Sequence, residues 1–125
     1  MVEEKKGCES EAGVTLIFPC SGAADVGEIS DRAARRMTAA GIGKMFCLAG
    51  IGGNISDMIE SAKSADKVLA IDGCSLDCAR KTLEDKSIDG FNHLRVTDTG
   101  LEKGKSPATG ERVTAVAEAG RRLLN

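Results

Sequence analysis

Residues 67–78 read KVLAIDGCSLDC, and this stretch decides which kind of fold the chain can adopt. The run KVLAI at 67–71 is short, apolar and uninterrupted, which is typical of a parallel strand buried on both faces of a sheet. After Asp72-Gly73, helical spacing begins at 75–86, and the predicted inner face of that helix carries Leu76, Ala79 and Leu83. A buried strand that is followed at once by a helix predicts a βα unit.

The same unit recurs on both sides of this stretch. Short apolar runs predict three further strands, at 14–18, 44–49 and 93–97. One helix is predicted from the capping-box pattern of Asp25 and Glu28, a second begins near residue 54, and Ser106-Pro107 opens the last. Four strands that alternate with four helices predict a small three-layer α/β domain, doubly wound and flavodoxin-like or Rossmann-like. Its four-stranded parallel sheet is expected in the order 2-1-3-4.

Length and composition predict one globular domain and exclude several kinds of partner. The 125 residues are 42% hydrophobic and 29% charged, so we expect a single α/β domain at 14–125 after a flexible tail at 1–13. With three Phe, no Trp and no Tyr, and a net charge of −2, the chain has no stacking platform or basic patch for nucleic acid. No apolar run approaches the roughly 18 residues of a membrane span, and the first residues contain no apolar signal segment. We therefore expect a cytoplasmic protein that binds neither nucleic acid nor membrane, and no protein partner is indicated.

Five cysteines carry most of the chemical information in the chain. A reducing compartment and an odd count argue against a disulfide framework, which leaves metal ligands, reactive thiols or core residues. In a doubly wound sheet, sites form outside the carboxyl ends of the strands where the strand order reverses, here between strands 1 and 3. Cys20 follows strand 1, Cys74 and Cys78 follow strand 3, and Cys47 lies in strand 2. Convergent thiolates predict a soft tetrahedral cation, zinc first, with one ion per chain.

The pattern leaves other residues open. Cys47 is equally well explained as a ligand or as a buried strand cysteine, and Cys8 in the tail is expected to be incidental. Lys103 and Lys105 either neutralise a thiolate centre or are solvated loop lysines. A zinc site closed by four sulfurs is usually structural, and the sequence indicates no carboxylate partner for the single histidine, His93, which lies in a strand. An enzyme is therefore not the first interpretation of the sequence, although the pattern leaves that question open.

Several residues near the cysteines are candidates for supporting roles. Asp72 either contributes to the surroundings of a ligand or caps the helix that follows strand 3. Ser21 and Gly22 come after strand 1, and Gly50 and Gly52 belong to a predicted loop after strand 2. We expect these four residues to bring bare backbone close to the thiols, where amide groups can donate to sulfur.

Three segments resemble the DGC-domain family: FPCSGAADVGEISDRAARRM at 18–37, MFCLAGIGG at 45–53 and AIDGCSLDCARKTLE at 70–84. The family is named for the Asp-Gly-Cys triplet found here at 72–74, and the likeness extends over about residues 14–105. It implies a zinc-binding protein with four cysteine ligands. On this chain, those ligands are Cys20, Cys47, Cys74 and Cys78, so the resemblance favours Cys47 as a ligand.

The predicted function is therefore zinc or soft-metal binding, in storage, delivery or sensing of the metal, or with zinc holding the fold. Two alternatives use the same cysteines. In a thiol–disulfide redox protein, Cys20 would attack and Cys74 or Cys78 would resolve the mixed disulfide. In an iron–sulfur carrier, the four thiols would hold a cluster.

Overall fold

The structure is a computed structural model that describes residues 13–125. Apart from Gly13, the predicted tail lies outside the described residues, and so does Cys8. One sheet is formed by four parallel strands in the order β2-β1-β3-β4, namely β1 (Thr15–Pro19), β2 (Lys44–Met45), β3 (Lys67–Asp72) and β4 (Asn92–Arg95). The predicted α/β fold and its strand order are confirmed.

Helices cover both faces of this sheet. They are α1 (Asp25–Ala39), α2 (Leu48–Gly52), α3 (Ser56–Ser64), α4 (Cys78–Asp85) and α5 (Gly110–Leu124), with a short 3-10 helix (Val96–Thr99) after β4. Within residues 13–125, none of these helices has the length and apolar character needed to cross a membrane.

The central strand β3 alternates its side chains between two apolar layers. Leu69 and Ile71 belong to the layer that contains α1 and α5. Val68 and Ala70 belong to the opposite layer, which contains α2, α3 and α4. Because both faces of β3 are covered, every position along it except the first is buried, which explains the uninterrupted apolar run in the sequence.

The second strand is shorter than the predicted segment at 44–49. The Phe46 amide still donates to the Ile17 carbonyl at 2.8 Å, and the Phe46 ring packs edge-on against Phe18 with centroids 5.7 Å apart. The chain then leaves the sheet, so Cys47 precedes α2 instead of lying in a strand. The prediction of a loop at 50–54 is also wrong, because residues 50–52 belong to α2. In this helix, the absence of a side chain on Gly50 leaves room for Met58 to pack.

Two predicted helix caps have other roles. Asp25 lies in the first turn of α1, and its carboxylate accepts from the backbone amides of Gly104 at 2.9 Å and Ser106 at 2.8 Å. These amides hold the pKa of Asp25 below its usual range. The Ser106 hydroxyl accepts from a loop amide, and α5 begins later, with Thr109 as its cap. Asp25 therefore ties the loop between β4 and α5 to the start of α1.

Candidate thiol site

Three of the predicted ligands line one cavity at the carboxyl edge of the sheet. Cys20 follows β1 directly, and its amide donates to the Ile71 carbonyl at 2.8 Å, which anchors the residue to β3. Cys74 follows β3 by two residues, and Cys78 is the first residue of α4. The three side chains surround a cavity of about 160 Å³ beside the first turn of α1. Strand order thus brings together thiols that are far apart in sequence.

The walls of this three-thiol cavity are apolar apart from the thiols and one lysine. The Lys103 ammonium donates to the Cys74 sulfur at 3.6 Å, from the loop that Asp25 holds. Lys105 instead pairs with Glu102 at 3.7 Å on the surface. The remaining lining residues carry no charge: Gly22, Ala23, Ala24, Val26, Gly27, Gly73 and Leu76.

Glycines let three chain segments meet behind the cavity. A Cβ atom on Gly73 would lie 2.9 Å from the Gly27 nitrogen, and one on Gly27 would lie 2.8 Å from the Gly22 carbonyl oxygen. Real Cβ atoms do not come so close to backbone, so both positions require glycine. The backbones that carry Cys20 and Cys74 are therefore in direct contact with the start of α1. The glycine of the Asp-Gly-Cys triplet was the one signal of this contact in the sequence.

The thiols of the cavity affect each other electrostatically. Burial raises the pKa of Cys78, and the nearby thiols Cys20 and Cys74 and the Asp72 carboxylate raise it further. All three cysteines are free. Within residues 13–125, however, no three of the sulfurs lie within 4.8 Å of one another. Zinc–sulfur bonds of about 2.3 Å in a tetrahedron place sulfurs about 3.8 Å apart, so the thiols share a cavity without being closed around a point.

Cys47 lies outside the three-thiol cavity. It is exposed and lines a neighbouring cavity of about 410 Å³ together with Pro19, Ser21 and Thr82. It also borders a cavity of about 580 Å³ on the side of α1. Pro19 and Ser21 flank Cys20 in sequence, so the cavity of Cys47 adjoins the one that the other three thiols line. Cys47 as a fourth ligand stays a prediction.

Asp72 caps the helix that opens with Cys78. Its Oδ1 accepts from the Ala79 amide at 2.6 Å, and its Oδ2 accepts from the Arg80 amide at 3.0 Å. The same Oδ2 lies 2.9 Å from Nε2 of His93. Of the two roles left open by the sequence, the helix cap is the one for which the structure gives contacts.

A partly buried ion pair that the sequence analysis missed holds the residue before Cys78. Asp77 is 3% exposed and has a left-handed backbone with φ of 53°. Arg95 donates to both of its oxygens, from Nε to Oδ1 at 2.9 Å and from Nη2 to Oδ2 at 2.6 Å. This fork holds the pKa of Asp77 below its usual range. No local signal reveals the pair, because Arg95 belongs to a different strand.

Of the four residues expected to bring bare backbone close to the thiols, Gly22 lines the three-thiol cavity, and Ser21, Gly50 and Gly52 do not. A Cβ on Gly22 would lie 3.8 Å from the Cys20 sulfur. Ser21 instead donates to Asp31 at 2.8 Å. Gly50 is in contact with Met58, and a Cβ on Gly52 would lie 3.7 Å from Thr82.

Comparisons with known proteins agree with the motifs around this site. Residues 16–119 match the model of the DGC domain. The chain is 33% identical over 88 residues to the anaerobic and virulence modulator AnvM of Pseudomonas aeruginosa, an alignment that covers 70% of this chain and 67% of that protein. No solved structure matches the chain.

Proposed function

The chain belongs to the DGC-domain family, and from that membership we propose that it is a small regulatory protein whose thiols bind one zinc ion or a similar soft cation. The observation that carries the proposal is the cavity shared by Cys20, Cys74 and Cys78. The regulatory role is extended from the relative in P. aeruginosa, whose name describes a modulator.

The cavity offers a soft cation three sulfur donors, from Cys20, Cys74 and Cys78. The first turn of α1 lies at the cavity, and the positive end of a helix dipole favours thiolates. Lys103 adds a compensating charge beside Cys74. A tetrahedral ion needs a fourth donor, for which Cys47 would have to move from the neighbouring cavity. Zinc would supply a cross-link between the loop after β1 and the segment from β3 to α4.

An exposed side chain lies between two of the thiols and would change position when they bind a ligand. Between Cys74 and Cys78 lies Leu76, which is 58% exposed at the rim of the cavity. Drawing the two cysteines toward Cys20 would move this apolar side chain. An exposed apolar residue whose position depends on ligand binding can report the bound state to another protein.

Metal analysis of protein purified without chelator or affinity-tag metal tests the proposal. We expect one zinc per chain, with loss of the metal in Cys74→Ser and Cys78→Ser and no change in Cys8→Ser, the matched control. Brown protein with visible charge-transfer bands would indicate the iron–sulfur alternative. Protein that takes up no metal under reducing conditions, with all thiols free, would contradict both metal proposals.

The contact between Lys103 and Cys74 favours a second candidate, a thiol–disulfide protein. Reactive cysteines lie in electropositive, partly exposed surroundings, and Cys74 is half-buried beside this ammonium group. In that case a mild oxidant should link Cys20 to Cys74 or Cys78, and thioredoxin should reverse the bond. Mapping of alkylated cysteines with and without chelator separates the two functions. Protection by metal supports zinc binding, whereas fast alkylation of Cys20 in zinc-loaded protein supports thiol exchange.

A further inference from the structure

The number of donors in the cavity is three. Cys20, Cys74 and Cys78 line it, while Cys47 lines the next cavity on the other side of Pro19 and Ser21. A ligand that is complete with three sulfurs can be bound without moving α2. A tetrahedral ion needs a fourth donor, either a water molecule or Cys47 moved from its own cavity.

The charge of the cavity also distinguishes between ligands. Lys103 is the one charged side chain among the lining residues that the structure describes. Zinc with four thiolates carries a net charge of −2, and zinc with three carries −1. A trivalent metalloid with three thiolates is neutral. A neutral complex places no charge against the apolar walls and leaves the exposed Lys103 ammonium to solvent, whereas the zinc complexes rely on Lys103 for charge compensation.

We propose that the three-thiol cavity, on which the zinc proposal also rests, binds a trivalent metalloid of the arsenite or antimonite class through Cys20, Cys74 and Cys78. In neutral arsenite, arsenic carries three hydroxyl groups and a lone pair. Three arsenic–sulfur bonds form and three arsenic–oxygen bonds break. Each thiol proton leaves with a hydroxyl group as water, so nothing is oxidised or reduced. The lone pair takes the place at which zinc would need its fourth ligand.

The segment from β3 to α4 can close on such a ligand. It is fixed at both ends, by the contact of Gly73 with α1 and by the pairing of Asp77 with Arg95. Between these points Leu76 is 58% exposed, so little packing opposes a shift of this stretch. Cys74 lies within this stretch, whereas Cys78 lies beyond Asp77 as the first residue of α4. Closure therefore needs a backbone shift at Cys74 and side-chain rotation at Cys20 and Cys78, while the sheet and α1 stay in place.

Titration of the reduced, metal-free full-length chain with arsenite tests the proposal. Intact-mass measurement under native conditions should show one arsenic atom added and three hydrogens lost. Alkylation should then reach two of the five cysteines, Cys8 and Cys47. Cys47→Ser should bind arsenite as the unmodified chain does, whereas Cys78→Ser and Cys74→Ser should lose the three-bond adduct. Circular dichroism and the thermal midpoint of each variant establish that it is folded.

The outcomes separate this proposal from the zinc proposal. Protection of Cys47 by arsenite, or an unchanged adduct in a folded Cys78→Ser variant, would overturn the three-thiol assignment. A chain that binds zinc but no arsenite would overturn the metalloid proposal alone. A chain that binds arsenite through the three thiols but takes up no zinc would support it and refute the zinc proposal.

Discussion

Replacing Gly73 by alanine tests whether the close backbone contact positions the thiols. The new Cβ would lie 2.9 Å from the Gly27 nitrogen, 2.9 Å from the Val26 carbonyl carbon and 3.0 Å from the Val26 oxygen. Relief requires β3 and α1 to separate, because backbone atoms cannot rotate away. Overpacking of this kind costs about 2 kcal/mol of unfolding free energy. That corresponds to a fall of roughly 8 °C in the thermal midpoint of a domain this size.

Gly22→Ala is the matched control in the same site. Its Cβ would meet nothing closer than the Cys20 sulfur at 3.8 Å, an ordinary contact. Neither glycine has a φ in the left-handed range, so alanine adds no backbone strain at either position. Urea unfolding of the reduced, metal-free protein should show Gly73→Ala destabilised and Gly22→Ala unchanged within about 0.5 kcal/mol.

The same pair of variants reports on the thiols. Because Gly73 precedes Cys74, the shift should alter the alkylation rate of Cys74 in Gly73→Ala and leave it unchanged in Gly22→Ala. Equal stability of Gly73→Ala and the unmodified chain would refute the argument that these segments are pressed together. Equal losses in both variants would show that any added methyl group at this edge is harmful, which would also refute it.

Three further predictions concern the segment that follows. Asp77→Asn keeps a residue type that tolerates the left-handed backbone. Because Arg95 lowers the pKa of Asp77 from its ordinary 3.8, the ionised carboxylate stabilises the fold above pH 3.8. This stabilisation is lost as the pH falls through the lowered pKa of Asp77. Urea unfolding at several pH values should therefore show a loss at neutral pH that disappears in strong acid, and an equal loss at both would contradict this. Asp72→Ala should cost about 1–2 kcal/mol, because two amides at the start of α4 lose their acceptor; a neutral result in the same assay would exclude the cap. Leu76→Ala should leave the free energy of unfolding unchanged, since Leu76 is 58% exposed. Leu83→Ala should lower it by about 2–5 kcal/mol, because Leu83 is fully buried. Similar losses in the two variants would contradict the observed start of α4.

The fold was predictable from the sequence because its signals are local and repeated. The run KVLAI has no polar interruption, and the structure gives β3 the bounds Lys67–Asp72. Each predicted strand is followed by helical spacing, and parallel order with right-handed crossovers leaves few arrangements of such units. The order β2-β1-β3-β4 confirmed this reasoning.

The start of α4 was wrong in the prediction for a reason that is not local. Helical spacing placed Leu76 on an inner face, but α4 begins at Cys78, and Leu76 is exposed. The residue before α4, Asp77, adopts a left-handed backbone, and Arg95 of β4 holds its carboxylate. A sequence pattern cannot reveal such a partner, which lies in another strand.

The placement of the cysteines was predictable in part. Strand order alone predicted that Cys20, Cys74 and Cys78 would lie at one edge, and they line one cavity. For Cys47, the apolar neighbours favoured a strand, but its strand ends at Met45 and the chain turns into α2. The capping patterns at Asp25 and Ser106 were misread because both side chains accept hydrogen bonds from amides of the loop between β4 and α5.

The hydrogen bonds of Asp25 to the loop between β4 and α5 bear on two properties of the three-thiol cavity, its sulfur donors and its positive charge. They fix the loop that carries Lys103, and this loop contains none of the three thiols. In the zinc and metalloid complexes that we propose, the sulfur donors that would select the ion and the lysine charge that would balance it thus come from independent pieces of chain. We therefore expect a substitution of Lys103 to change the preference between neutral and anionic complexes while leaving the three sulfur donors in place.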